Sequence, residues 1–197
     1  MELLASYNRI LNLTQDIVDD SFSDDAPEVS LIKEDIMNLI KCEKIVLQDL
    51  PTERSKIQFE ETNAQKVFKI SLVAESQRNI AYLMHVRQSV FAPENYSIPL
   101  TLIMPTKNIC LLRCNGPHGE PDNRNVFHTC AHNHTCTSED LIARRLTDPS
   151  HRELAPYSSL KGAIDYFVSV CNIVDVTPYL PKEIAFLKQM TFDDYGR

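Results

Sequence analysis

The stretch CLLRCNGPHGEPDNRNVFHTCAHNHTC, residues 110–136, holds four of the six histidines and four of the six cysteines of this 197-residue chain. In its second half, histidine or cysteine stands at every second position. Successive side chains of an extended strand alternate between two faces, so these residues would share one face. A purely structural strand has no need of that pattern, and we expect function here. The alternating residues are His128, Cys130, His132, His134 and Cys136.

A sharp turn is predicted within this stretch at residues 115–119, where the sequence reads Asn-Gly-Pro-His-Gly. Glycine and proline favour chain reversal at such positions. The turn separates an apolar segment at 109–114 from the His/Cys segment at 126–136, and we expect the two to pair as an antiparallel hairpin. Such a hairpin would bring Cys114 and His118 towards the His/Cys face.

Towards the N-terminus, short apolar segments follow one another with brief connections. Parallel strands need crossovers of about a dozen residues, so these segments predict an antiparallel sheet. Pro99 indicates an edge strand or the start of a strand. With helices at both chain termini packing on it, this curved sheet of about five to seven strands defines an α+β fold. The segments lie at 45–50, 56–60, 67–73, 80–87, 98–104 and 109–114.

Helical periodicity marks both ends of the chain. Two helices are predicted before residue 43. Downstream, Thr137 opens a capping sequence for a short helix through Leu146, and Ser158 or Ser159 could cap a longer helix. The predicted organisation is an N-terminal helical segment at 1–43, an α+β domain at 44–176 and a C-terminal tail with a short helix at 177–197.

The net charge of −7 argues against broad, nonspecific binding of nucleic acid. Several acidic residues are concentrated near the N-terminus. They form either a solvated helix end or a surface that imitates nucleic-acid phosphates. No apolar run reaches the roughly 18 residues of a membrane span, and no secretory leader is recognised. We therefore expect a cytoplasmic protein with reduced cysteines and no membrane partner. The acidic residues are Asp16, Asp19, Asp20, Asp24, Asp25 and Glu28.

Zinc binding is one chemistry that the central stretch could perform. Thiolates and imidazoles are the preferred ligands of tetrahedral zinc, and the stretch offers more than the four that are needed. Its spacing differs from the Cys-x-x-Cys pairs of zinc ribbons. The candidate ligands are Cys114, His118, Cys130, His132, His134 and Cys136.

Metal-independent cleavage of a phosphodiester is the second chemistry. A neutral histidine can take a proton from a ribose 2′-hydroxyl while a protonated one supplies a proton to the leaving oxygen. His118 would form this pair with His132 or His134, and Arg113 would stabilise charge on the phosphoryl oxygens. A purely structural alternative stays open, in which the histidines cap turns and form hydrogen bonds across the sheet.

Three motifs resemble an uncharacterised bacterial domain family, over roughly residues 67–173. Its members carry Arg-x-Asp-x-Gly-Pro-Pro-His, then Cys-Pro-His-x-His, then a C-terminal helix ending in Tyr-Cys-Asn-Ile. The matching segments here are 113–118, 130–134 and 171–173, with Ala131 in place of the second motif's proline. A weaker likeness extends to TumE-type toxins of bacterial toxin–antitoxin pairs. The resemblance implies a small α+β fold with an acid-base histidine site.

These observations predict a toxin-like or defence-associated protein, such as a phage-defence factor, that cleaves RNA and requires no cofactor. The alternative is a non-enzymatic interaction protein of a mobile element, which would inhibit a nucleic-acid enzyme and hold a structural Zn²⁺. The expected partners are RNA in the first case. A toxin would also have its antitoxin as a protein partner, and in the second case the partner is a nucleic-acid enzyme.

Overall fold

A computed structural model describes residues 2–15, 26–47, 58–118 and 129–185. Within them the helices are α1 (Glu2–Gln15), α2 (Ala26–Lys41), α3 (Ser138–Ile142), α4 (Leu160–Val170) and α5 (Lys182–Ala185), with a 3₁₀ turn at Thr177–Tyr179. The strands are β1 (Lys44–Val46), β2 (Glu60–Glu61), β3 (Gln65–Ala74), β4 (Gln77–Ser89), β5 (Tyr96–Leu102), β6 (Ile109–Asn115), β7 (His132–Thr135) and β8 (His151–Leu154).

The strands form one antiparallel sheet in the order β1-β3-β4-β5-β6-β7-β8, and β2 pairs with β3. The predicted α+β fold, an antiparallel sheet with helices towards both ends of the chain, is confirmed. Its eight described strands exceed the predicted number, partly because β8 was not foreseen. The sequence His-Arg-Glu-Leu has no apolar alternation, since β8 is a largely exposed edge strand.

The two faces of the sheet differ in composition because alternate side chains point to opposite sides. One side, the helix face, is apolar and contacts α1, α2 and α4. Burying one large apolar side chain there contributes about 1.5–3 kcal/mol. Its buried residues include Phe68, Ile70, Leu72, Tyr82, Met84, Val86, Ile98, Leu100, Leu112 and Cys114. The other side, the distal face, carries Lys69, His85, Arg87, Ser97, Arg113, Asn115, His132, His134 and Arg152.

A buried lysine connects the N-terminal helices to the far end of the described chain. The Lys44 ammonium is fully buried and donates to Ile40 O at 2.7 Å, Cys42 O at 2.9 Å and Cys171 O at 3.0 Å. These carbonyls lie at the C-terminal ends of α2 and α4, where backbone oxygens lack partners within the helix. One side chain therefore caps two helices, and its Nζ also lies 4.8 Å from the centre of the Tyr82 ring.

The prediction that Pro99 marks an edge or a strand start is wrong. Pro99 lies within β5, between β4 and β6. Proline has no N–H to donate to a neighbouring strand. The β4–β5 ladder is accordingly interrupted beside it and pairs only on either side, at Met84–Leu100 and Arg87–Ser97. An interior strand thus accommodates proline by losing pairing on one side.

Two further boundaries differ from the predictions. The helix that begins after Thr137 ends at Ile142 rather than at Leu146, because Arg144 has a left-handed φ of 55°. The predicted hairpin between 109–114 and 126–136 exists, but its returning strand covers only His132–Thr135.

Some predictions lie outside the described residues. They concern His128, the ends of two strands at 48–50 and 56–57, the final helix beyond residue 185, and most of the acidic cluster, Asp16, Asp19, Asp20, Asp24 and Asp25. Among the helices that are described, none combines the length and the apolar character that crossing a membrane requires.

Candidate functional site

Gly116 shapes the turn that follows β6. Its N–H donates to Tyr96 O at 2.9 Å, which keeps the chain close to β5. A Cβ atom at this position would lie 1.9 Å from Glu94 O and 2.7 Å from Tyr96 Cε1. Only glycine permits this close approach of two backbones. The turn then directs His118 back over the distal face, as the sequence predicts.

Three imidazoles lie in a row beside this turn, with neighbouring ring planes tilted by 40°. The register of β6 and β7 pairs Arg113 with His134 and Asn115 with His132. The ring centres of His118 and His132 lie 5.0 Å apart, and those of His132 and His134 are also 5.0 Å apart. His118 is exposed, whereas His132 and His134 are 0% and 4% exposed. The structure therefore brings together all four residues predicted for catalysis, with one histidine at the surface.

Backbone carbonyls fix the tautomers of these histidines. The Nδ1 atoms of His118, His132 and His134 lie 3.0, 2.9 and 2.9 Å from the carbonyl oxygens of residues 116, 130 and 149. A carbonyl only accepts, so each ring donates through Nδ1 and, when neutral, carries its lone pair on Nε2. Asn115 Nδ2 donates to Nε2 of His132 at 3.4 Å. Nε2 of His134 is buried and has no hydrogen-bond partner among the described residues.

Burial keeps the two inner histidines neutral. Desolvation lowers the pKa of His132 to about 4, against a smaller opposing effect of the Cys130 carbonyl. Burial likewise lowers the pKa of His134, although the Pro149 carbonyl favours its protonated form. At neutral pH both rings can accept a proton and neither can act as an acid.

Arg113 is anchored by the loop that precedes β8. Its Nη1 donates to Asp148 Oδ1 at 3.3 Å and its Nη2 donates to Thr147 O. Its Nε is buried and has no hydrogen-bond partner among the described residues. The guanidinium is therefore oriented by two nitrogens and retains one unused donor on the distal face.

Asp140 holds that loop in place. Its fully buried carboxylate accepts from Arg145 Nε at 2.8 Å, Ser150 N at 2.9 Å and Thr137 N at 3.1 Å. Burial by itself would raise the pKa of Asp140, but these hydrogen bonds outweigh it and lower the pKa. The capping box of α3 thus fixes the loop carbonyls that orient Arg113 and His134.

A cavity of about 470 Å³ opens beside His118 on the distal face. Its lining includes Arg87, Ser97, Arg113 and the exposed ring of Phe91, but no aspartate or glutamate of the described chain. Such a volume falls within the range of about 300–1,000 Å³ for small-ligand sites. The cavity can receive an anion.

The six residues predicted as zinc ligands do not converge on one point. Cys114 points to the helix face, opposite His132, and Cys130 is exposed in a turn before β7. Cys136 is buried beyond the end of β7, and burial raises the pKa of both buried thiols, that of Cys114 to about 12. Among the described residues, no group of three or more His, Cys, Asp or Glu is arranged to hold a metal ion.

Sequence reasoning missed Arg87, Ser97 and Asn115 as neighbours of the site. They come from three successive strands and become adjacent only through the register of β4, β5 and β6. His85 and Arg87 alternate with Met84 and Val86 in the sequence, and this was the available signal that β4 carries basic residues on one face.

Comparisons with protein families, with curated proteins and with solved structures found no match to this chain. The resemblance to the bacterial domain family and to TumE-type toxins therefore stays a prediction from the motifs.

Proposed function

We propose that this protein cleaves RNA by acid-base catalysis at His118 and His132, assisted by Arg113, in a toxin-like or defence role. The observation that carries the proposal is a pair of imidazoles, 5.0 Å apart at the ring centres, with one exposed ring and one buried ring beside an arginine. Unequal environments for two such groups are typical of sites in which one acts as base and the other as acid.

The chemistry is a transesterification within the RNA chain. Neutral His132 takes the proton from a ribose 2′-hydroxyl, and the 2′-oxygen forms a bond to phosphorus. As the bond from phosphorus to the 5′-oxygen breaks, protonated His118 donates its proton to that leaving oxygen. The products are a 2′,3′-cyclic phosphate and a 5′-hydroxyl. His132 then loses its proton and His118 regains one from water.

The environment of each histidine supports these assignments. His132 has a pKa of about 4 and is neutral under physiological conditions, so it suits the base. His118 is exposed and can exchange protons with water, so it suits the acid. Asn115 Nδ2 lies 3.4 Å from Nε2 of His132, so the substrate hydroxyl would replace this long hydrogen bond. His134 is the alternative base, because its Nε2 has no hydrogen-bond partner among the described residues.

Arg113 supplies positive charge where the phosphoryl oxygens would lie. The register places it next to His134 on β7 and next to Pro99 on β5. Its unused Nε can donate to an oxygen that gains charge in the transition state, which is the usual role of arginine at a phosphoryl centre.

Cleavage of a single-stranded RNA labelled with a fluorophore and a quencher tests this proposal. We expect the purified protein to cleave it between pH 5 and 8, and His118→Asn or His132→Asn to slow cleavage about 10²–10⁴-fold. The matched control is His151→Asn, which alters an exposed histidine on β8 paired with Glu153 at 2.8 Å. Product ends are identified by mass spectrometry.

A co-purifying nuclease would cleave equally in every preparation, so slower cleavage by His118→Asn and His132→Asn is the result that assigns the activity to this protein. Equal cleavage by wild type, His118→Asn and His132→Asn would refute the assignment. Metal content, measured on protein purified without an affinity tag, tests the zinc alternative. We expect cleavage to persist in EDTA, whereas one zinc per chain, lost together with the fold on chelation, would favour the structural zinc site.

A further inference from the structure

Unused hydrogen-bond donors are concentrated on one part of the distal face. Arg87 Nε, Arg113 Nε and Ser97 Oγ are all buried without a hydrogen-bond partner among the described residues. Each belongs to a residue that lines the cavity of about 470 Å³. A buried polar group without a partner is unfavourable, so three of them in residues that line one cavity point to a site kept polar for a ligand.

The chemistry of the lining defines the ligand as an anion. Two guanidinium groups, a hydroxyl and the amide side chains of Gln65 and Asn115 line the cavity, with no acidic residue of the described chain among them. Arginine matches the oxygens of a phosphate better than any other side chain. Asp148 contacts Nη1 of Arg113 and is two-thirds exposed, whereas Nε of Arg113 has no hydrogen-bond partner among the described residues.

An aromatic ring lies at the same cavity. Phe91 follows β4 and is 82% exposed, the highest value among the exposed large hydrophobic residues of the described chain. An apolar ring in water beside two arginines suits a ligand that joins a phosphate to a flat base. Stacking of a base on an aromatic side chain contributes to the binding of single strands with little sequence preference.

We propose that this cavity is a nucleotide subsite for a single-stranded polynucleotide, with a phosphate on Arg87 and Arg113 and the adjoining base on Phe91. His118 lies at the border of the cavity, so a strand held there continues directly to the imidazoles. The identity of the strand as RNA rests on the proposed function, because only cleavage needs the 2′-hydroxyl. Duplex is excluded because its bases are already stacked and paired.

Binding of a fluorescent eight-nucleotide DNA strand, which cannot undergo the cleavage reaction, tests the subsite on its own. Fluorescence anisotropy should show binding that weakens as salt is raised, and weaker binding of the matching duplex. We expect Arg87→Gln and Phe91→Ala each to weaken single-strand binding about tenfold. The same measurement with a 2′-O-methyl RNA strand of the same sequence tests binding of RNA.

Two variants serve as matched controls. Arg78→Gln alters another arginine of β4, about 30 Å along the strand from Arg87, and Leu47→Ala alters a residue that is 60% exposed and does not line the cavity. Both should bind as wild type does. Unchanged binding by Arg87→Gln and Phe91→Ala, or equal affinity for duplex and single strand, would overturn the subsite.

The outcomes separate this inference from the proposed function. Strand binding that depends on Arg87 and Phe91 without any RNA cleavage would keep the subsite and reject the nuclease. Cleavage that needs His118 but is unaffected by Arg87→Gln and Phe91→Ala, at RNA concentrations below KM, would keep the nuclease and reject the subsite.

Discussion

At the scale of single residues, burial and hydrogen bonding fix the protonation of His132. Its Nδ1 donates to Cys130 O, its Nε2 accepts from Asn115, and burial lowers its pKa to about 4. The spacing of the histidines in the sequence indicates that they are neighbours. It does not reveal which one is buried, because burial depends on the turn at Gly116 and on the loop that precedes β8.

The pH dependence of stability follows from this lowered pKa. In the unfolded chain His132 becomes protonated as the pH falls below 6.5, the ordinary pKa of histidine. In the native protein it becomes protonated only near pH 4. Stability is therefore complete above pH 6.5 and falls as the pH drops to 4, by on the order of 2 kcal/mol from this residue. Urea unfolding at pH 7.5 and 4.5 should show a smaller loss for His132→Asn than for wild type.

The control for that measurement is His151→Asn, because His151 is exposed on β8. This variant should show the same pH dependence as wild type. An identical loss in wild type and His132→Asn would contradict a lowered pKa at this position.

Replacing Lys44 tests how much its three hydrogen bonds contribute to stability. Lys44→Met retains the length of the side chain but leaves Ile40 O, Cys42 O and Cys171 O without their donor. We expect the free energy of unfolding to fall by about 2–4 kcal/mol, measured by urea denaturation. The control Lys69→Met, at an exposed position of β3, should change it by less than about 0.5 kcal/mol.

At the scale of elements, the pattern of apolar alternation located β3, β4, β5 and β6 to within a few residues. It could not place β8, whose residues are mostly exposed, nor foresee that Pro99 lies in an interior strand. Alternation reports which face of a strand is buried and not which strands are neighbours. The hairpin of β6 and β7 was predictable because the turn sequence at 115–119 lies between two segments whose patterns are typical of strands.

Replacing Gly116 tests how closely the turn after β6 packs against β5. In Gly116→Ala the new methyl group would overlap Glu94 O and the Tyr96 ring, so the turn must move away from β5. We expect a loss of about 2–4 kcal/mol of stability and a shift of the His118 NMR signals. Gly162→Ala is the comparison, since its Cβ would lie 3.3 Å from Ser159 Oγ, and it should change stability by less than about 1 kcal/mol. Similar effects of both substitutions would argue against close packing at the turn.

Across the whole protein, the distribution of charge follows the faces of the sheet and not the segments of the sequence. The net charge of −7 argues against broad binding of nucleic acid, yet the strand positions of β4 to β8 on the distal face carry basic residues and histidines without a single aspartate or glutamate. The net charge of the chain does not show this distribution, and the described acidic residue that contacts Arg113 is Asp148, in the loop before β8. A local anion site is therefore compatible with an acidic protein.

The contact between Lys44 and Cys171 joins residues 127 positions apart in the chain. During synthesis, which proceeds from the N-terminus at about 5–20 residues per second, the helix ends around Lys44 must wait on the order of 10 s for their partner. The backbone of Lys44 also pairs with Asn172 O and Val174 N. These contacts of Lys44 can form only after all six histidines of the sequence have been synthesised. The N-terminal helices are therefore fixed to the end of α4 only after the residues of the candidate site have been synthesised.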